Sequence, residues 1–161
     1  MLTFETDSGR FNVRVAGVCV EDGHLLAQRF DGSEFWVLPG GRIEMGEDSM
    51  KALAREMGEE LPITDALRIE RLLWLTELFF NSSEDEQYHE LGFYYLMTLP
   101  EGHALGDKSA IACGEDGGVR FELGWLPLDS LGEFSLVPYF LRTSLLAMPN
   151  APQHLICYEE R

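Results

Sequence analysis

From Phe11 to Val20 the chain is rich in β-branched residues, it reaches a turn at Asp22-Gly23, and a second apolar run follows from Leu25 to Phe30. Two such runs around a glycine turn predict a β-hairpin. Another turn at Asp31-Gly32-Ser33 leads to the short run Phe35 to Leu38, which stops at Pro39-Gly40-Gly41, where the backbone must take an unusual course. Behind Asp48, a good N-cap, Ser49 to Leu61 consists of helix formers and is stopped by Pro62. Arg68 to Phe80 and Glu90 to Leu99 then read as long strands separated by the polar loop Asn81 to Gln87. Pro100 to Gly118 is glycine-rich and aperiodic, which predicts a mobile or functional loop. Val119 to Leu126 predicts another strand, Pro138 opens a second helix through Ala147, and His154 to Tyr158 returns as an edge strand. Strands interleaved with helices, without a repeat or linker, indicate one α+β domain over 1–161.

The length of 161 residues suits one domain with a sizeable core. Twelve basic residues against 28 acidic ones give a net charge of -16, which argues against a long nucleic acid as partner because such binding needs clustered Lys and Arg. A nucleotide remains compatible, since a divalent cation can bring the missing positive charge. The longest apolar stretches, Leu72 to Leu75 and Leu91 to Met97, fall far short of the roughly 20 residues that span a bilayer, so no membrane partner is expected. Met1 to Arg10 carries Glu5 and Asp7 and does not read as a signal peptide, which makes the cytoplasm the expected location. Cys19, Cys113 and Cys157 are odd in number and lack CxxC spacing, which favours buried apolar roles over a disulfide framework or a zinc site.

The helix over 49–61 carries the chemistry. At about 100° per residue, Glu56, Glu59 and Glu60 fall on one face, beside an apolar stripe of Met50, Leu53, Ala54, Met57 and Leu61. Like charges at this spacing cost an isolated helix about 0.2 to 0.5 kcal/mol per pair, so positive charge must gather nearby. The three carboxylates are either a solvated acidic face or ligands of a hard divalent cation such as Mg²⁺, which prefers oxygen and is commonly shared with substrate phosphates. The joint spacing of Gly41, Glu47, Arg55, Glu56, Glu59 and Glu60 decides between them. The segment GRIEMGEDSMKALAREMGEELPI, from Gly41 to Ile63, resembles the signature of the Nudix hydrolases at every charged position. One departure stands in it: Pro62 replaces the final glycine, so the helix must be left by another route.

The resemblance implies the Nudix fold, a mixed β-sheet packed between helices as an α/β/α sandwich. It implies that Glu56, Glu59 and Glu60, with the backbone carbonyl of Gly40, hold Mg²⁺ or Mn²⁺ as its substitute, and that Glu47 and Arg55 support them. The implied reaction is attack of water at phosphorus in the diphosphate linkage of a nucleoside diphosphate derivative or triphosphate, and a homodimer is compatible with it. The general base is expected from outside the helix, because a coordinated carboxylate loses much of its basicity to the cation: Glu115 between Gly114 and Gly118 comes first and Glu122 second, with a helix glutamate, Glu56 or Glu59, as the alternative. Among substrate contacts, Arg14 and Arg29 suit phosphates, Trp36 suits base stacking, and Glu90 suits a strand position facing the cleft. A diphosphate isomerase of the same fold would need a Cys and acid pair, for which Cys19 and Cys113 show no local motif. A nucleotide sensor would show eroded helix glutamates, and here they are intact.

Overall fold

The computed structural model describes residues 1–63, 67–82 and 86–161. Strand β1 (Thr3–Thr6) pairs with β2 (Gly9–Val18), and after Cys19 the chain continues as β3 (Val20–Glu21) and β4 (His24–Phe30). Next come β5 (Gly40–Arg42), helix α1 (Ser49–Glu60), the long β6 (Arg68–Asn81) and β7 (Gln87–Thr98). The rest comprises β8 (Ala112–Asp116), β9 (Val119–Pro127), a 3-10 turn over Leu128–Glu133, the short α2 (Leu141–Ser144) and β10 (Gln153–Glu159).

Two mixed or antiparallel sheets form the centre. One has six strands in the order β1-β2-β7-β6-β10, with β5 also on β2, and the other runs β3-β4-β9-β8. Within the first, β2 and β7 are parallel, β6 and β7 antiparallel, and β10 lies parallel to β6 at the edge. On one side α1 buries Ala52, Leu53 and Met57 against Val15, Leu26, Tyr95 and Phe121. On the other, Leu131, Leu136 and Leu141 from the segment after β9 pack on Ala16, Leu25, Trp74 and Tyr94. This gives the expected helix, sheet, helix layering.

Three expectations change. The hairpin from Phe11 to Phe30 is mostly absent: its Asp22-Gly23 turn exists, with φ of 49° and 74° as a type I′ turn needs, but only Val20–Glu21 pairs with β4. Arg10 to Val18 pairs in parallel with β7 instead. A hydrophobic pattern announces a strand and a turn, but it does not name the partner. The loop expected over Pro100 to Gly118 contains strand β8, which forms a hairpin with β9 about Gly117 and Gly118. Its inward position is Gly114, where a Cβ would run into the Phe121 ring, so the strand lacks the apolar alternation by which it would be recognised. The second helix is one turn, Leu141–Ser144.

Helix α1 matches expectation closely. The Asp48 side chain accepts a hydrogen bond from the Lys51 N–H at 3.0 Å, and of the apolar stripe Leu53, Met57 and Leu61 are buried while Met50 and Ala54 stand exposed. The helix leaves through Leu61, which is extended (φ −96°, ψ 139°) as a residue before proline prefers. Pro62 thus ends the helix by steric exclusion rather than by a left-handed residue. Residues 64–66 just beyond it, and 83–85 within the Asn81 to Gln87 loop, lie outside the described residues. Pro62→Gly is expected to lower stability by about 0.4 to 1 kcal/mol through a freer unfolded chain, as read by urea unfolding.

Candidate active site

The carboxylates of α1 meet the Pro39-Gly40-Gly41 turn edge to edge. Gly40, at φ 145°, lies so close to β2 that a Cβ would overlap the Val15 carbonyl, and a Cβ on Gly41 would overlap the Glu56 carboxyl group. Only a glycine pair lets the turn and the helix come this close. The Gly40 N–H donates to one oxygen of Glu60 at 2.8 Å. The other oxygen accepts from the Gln28 side-chain amide on β4 at 3.0 Å. Glu60 is 5% exposed, and burial pushes its carboxyl up to about 7 despite these two donors and the nearby Arg14.

Arg55 answers the repulsion on the helix face. Its guanidinium donates to both oxygens of Glu47 at 3.0 Å, to Glu56 at 2.7 Å and to Glu59 at 3.3 Å, and also to the Arg42 carbonyl at 3.2 Å. These bonds hold the Glu47 carboxyl below its usual range and the Arg55 guanidinium above its own. Burial raises the Glu56 carboxyl, with Arg55 pulling the other way. Glu59 is the freest of the three, its side chain 48% exposed.

Glu47, Arg55, Glu56, Glu59, Glu60 and Gly40 are thus one constellation. Arg14 joins its edge by donating to the Leu38 carbonyl at 3.0 Å. Glu90 lies opposite Asn12 in the β2/β7 register and lines an adjoining pocket of about 300 Å³ together with Arg14. Its side chain is partly open to that pocket while the carboxyl group itself is enclosed, and desolvation raises its pKa against the pull of Arg14, Arg161 and Arg42. Arg29 and Trp36 form a group of their own: the guanidinium pairs with Glu122 at 2.8 Å and covers the indole ring 4.7 Å from its centre, leaving Trp36 8% exposed. Glu115 is an exposed residue of β8, and by strand alternation it points away from the face on which Ala112 packs toward the α1 core. The mobile loop that favoured it as a base is a paired strand.

Gln28 is the residue that sequence reading missed. It is fully buried at 0% exposure, and it is a polar amide in the apolar run of β4, which was the available signal. Among the described residues no three His, Cys, Asp or Glu side chains form a ready metal cage. The donor set nevertheless fits a hard divalent cation: only carboxylate and backbone oxygens, with Glu56 and Glu60 both buried and both carboxyl groups raised by desolvation in spite of Arg55 and Arg14.

A model of the NUDIX domain matches residues 10–143. The chain therefore belongs to the NUDIX family, the family of the Nudix hydrolases. Among curated proteins, a MutT-like protein of Streptomyces ambofaciens is 49% identical over 53 residues, which are 32% of this chain and 34% of that protein. Among solved structures, an ADP-ribose pyrophosphatase from Streptococcus suis superposes with a TM-score of 0.60 at 12% identity, covering 90% of this chain and 98% of the other. The mutator MutT protein from Bacillus halodurans gives 0.59 at 14% identity, with coverages of 91% and 90%. A UDP-X diphosphatase gives 0.56 at 21% identity, covering 89% of this chain. The chain spans about a third of the length of the MutT-like relative and 66% of the UDP-X diphosphatase. No helix among the described residues is long and apolar enough to cross a membrane.

Proposed function

We propose that this protein is a pyrophosphohydrolase, dependent on Mg²⁺ or Mn²⁺, that splits the diphosphate linkage of a nucleoside diphosphate derivative or nucleoside triphosphate by attack of water at phosphorus. The single observation that carries this reading is the constellation around Arg55: it gathers three carboxylates and the Arg42 carbonyl beside a buried Glu60. A solvated acidic face would leave Glu56 and Glu60 in water, whereas here they are 7% and 5% exposed. Glu56, Glu59, Glu60 and the Gly40 carbonyl would hold the cation. A cation there supplies neutralisation of phosphate oxygens and makes an attacking water easier to deprotonate. Arg55 and Glu47 keep the ligands oriented.

For the base we favour Glu59 over Glu115, because it is half-exposed at the edge of the constellation and bound only to Arg55 through its longest contact, so that it would both face the cation and accept the proton. Glu115→Gln with an unshifted acid limb of the pH profile fits Glu59; a lost acid limb restores Glu115. We read the protein as a single cytoplasmic domain acting on a small nucleotide. The intact helix glutamates weigh against a sensor. The deciding experiment is product analysis by chromatography after incubation with a panel of nucleotide derivatives, with Mg²⁺ and with EDTA. Cation-dependent release of a nucleoside monophosphate is expected, and no release from any member would overturn the reading.

Gln28→Leu is a sharper probe of the same centre. It removes the donor from Glu60 and also an amide oxygen that is buried without a partner, so the two effects on stability nearly cancel, within about 1 kcal/mol. Mn²⁺ affinity read by electron paramagnetic resonance is expected to fall about 10- to 100-fold, as for other groups that orient a ligand.

A further inference from the structure

We infer that Arg14 and Arg42 form a clamp for a phosphoryl group beyond the scissile linkage, so that the substrate carries a third phosphate. The inference rests on the pyrophosphohydrolase reading and deepens it. Arg14 on β2 and Arg42 on β5 are direct partners in the antiparallel register, and both line the pocket of about 300 Å³ beside the carboxylates. Like charges placed directly opposite across strands repel. In this acidic protein Arg10, Arg29, Arg55, Arg68, Arg120 and Arg161 each reach a carboxylate. Arg14, Arg42, Arg71 and Arg142 form no such ion pair among the described residues, and of these only Arg14 and Arg42 face each other in the pocket: Arg14 bonds the Leu38 carbonyl at 3.0 Å, the Arg42 side chain donates to the Met1 sulfur at 3.8 Å, and the enclosed Glu90 carboxyl feels both from the same pocket. Two adjacent guanidinium groups that share a single enclosed carboxyl, Glu90, and close an ion pair with no side chain, in a chain of net charge -16, leave this pocket with a surplus of positive charge suited to a further anion.

Both arginines are tied to the candidate centre through the backbone. Arg55 holds the Arg42 carbonyl at 3.2 Å while it gathers Glu47, Glu56 and Glu59, and Leu38, the anchor of Arg14, precedes Pro39-Gly40. Arg42 lies two residues beyond Gly40 on β5, about 7 Å along the strand. An anion on the clamp is therefore displaced from the cation but within the span of one polyphosphate. Glu90, one step further along the same face opposite Asn12, disfavours negative charge at that end of the pocket and confines it to the arginines. A diphosphate joined to a neutral sugar has no use for this second cationic centre. A nucleoside triphosphate or a dinucleoside polyphosphate does.

The test separates the clamp from the reaction. Inorganic pyrophosphate, titrated calorimetrically into the protein in EDTA, is expected to bind in a strongly salt-dependent way, and Arg14→Met or Arg42→Met to weaken it at least about tenfold. Removing one charge relieves the repulsion within the pair and also takes away part of the attraction on Glu90, so the Tm should stay close to that of the wild type, and Arg42→Lys, which keeps the charge and loses the fork, should fall between in pyrophosphate affinity. Wild-type pyrophosphate binding in both Met variants, or an equal loss in Arg29→Met, overturns the clamp. In turnover, Arg42→Met is expected to lower kcat/KM for a nucleoside triphosphate at least about tenfold more than for a nucleoside diphosphate sugar. Equal losses place the arginines on the scissile diphosphate and overturn the third phosphate. If the wild type hydrolyses neither substrate, the proposed reaction fails, and the pyrophosphate titration still decides the clamp.

Discussion

Glu60→Gln is expected to lower turnover at least about a hundredfold while making the cation-free protein more stable at pH 8. The loss follows from removing the carboxylate that both the turn and β4 hold in place. The gain follows from where that carboxylate sits. Its carboxyl is pushed from 4.5 up to about 7 by burial. Below pH 4.5 it is protonated in both folded and unfolded chains, and burial carries no penalty. Between about 4.5 and 7 the unfolded chain gives up its proton first, so stability falls as pH rises; above 7 both are ionised and the penalty is complete. At about 1.4 kcal/mol per pH unit this amounts to about 3 kcal/mol. Glutamine mimics the protonated acid, and the spare oxygen of Gln28 can turn to meet its new N–H, so the variant should gain about 1 to 3 kcal/mol at pH 8 and nothing below pH 4.5. Urea unfolding in EDTA across this range checks it. An unchanged pH slope in the variant would mean that Glu60 is not the group that titrates.

Arg55→Met should damage both the fold and the chemistry. The arginine is partly exposed, so its ion pairs are worth less than a fully buried set, but its loss leaves Glu47, Glu56 and Glu59 facing one another with no counter-charge. A stability loss of about 2 kcal/mol is expected from thermal unfolding, together with a fall in kcat of at least about a hundredfold. Arg55→Lys should recover little of the rate, because one ammonium group cannot bond Glu47 through two nitrogens while reaching Glu56 and the Arg42 carbonyl. Full recovery by lysine would reduce the role of Arg55 to charge alone.

The helix and its carboxylates were legible because their signals are local: an N-cap at Asp48, a 3.6-residue period, and charges spaced along one face. Pairings between distant segments were less so. Gln28 lies 32 residues from Glu60, and nothing near it in sequence says which group an amide in an apolar strand will meet. Arg42 stands within the signature segment, yet only the register of β5 against β2 shows that it faces Arg14. Trp36 and Arg29 looked available for substrate, but each satisfies the other, and Glu122 completes the group. Strand β8 escaped notice because a glycine occupies the position where an apolar residue would have announced it.

The single chain segment from Gly9 to Glu21 crosses from one sheet to the other at Cys19, where the Leu26 N–H bonds the Cys19 carbonyl at 2.9 Å. The halves that carry the glycine turn and the Gln28 anchor are therefore not separate foldons, because opening either one pulls on a strand that the other needs. Transient opening of the substrate face cannot be confined to that face, and the precision with which Glu60 is held is tied to the global unfolding equilibrium of the molecule. A core substitution far from the helix, at Leu25 or Val18, would thereby reach the chemistry through cooperativity rather than through contact.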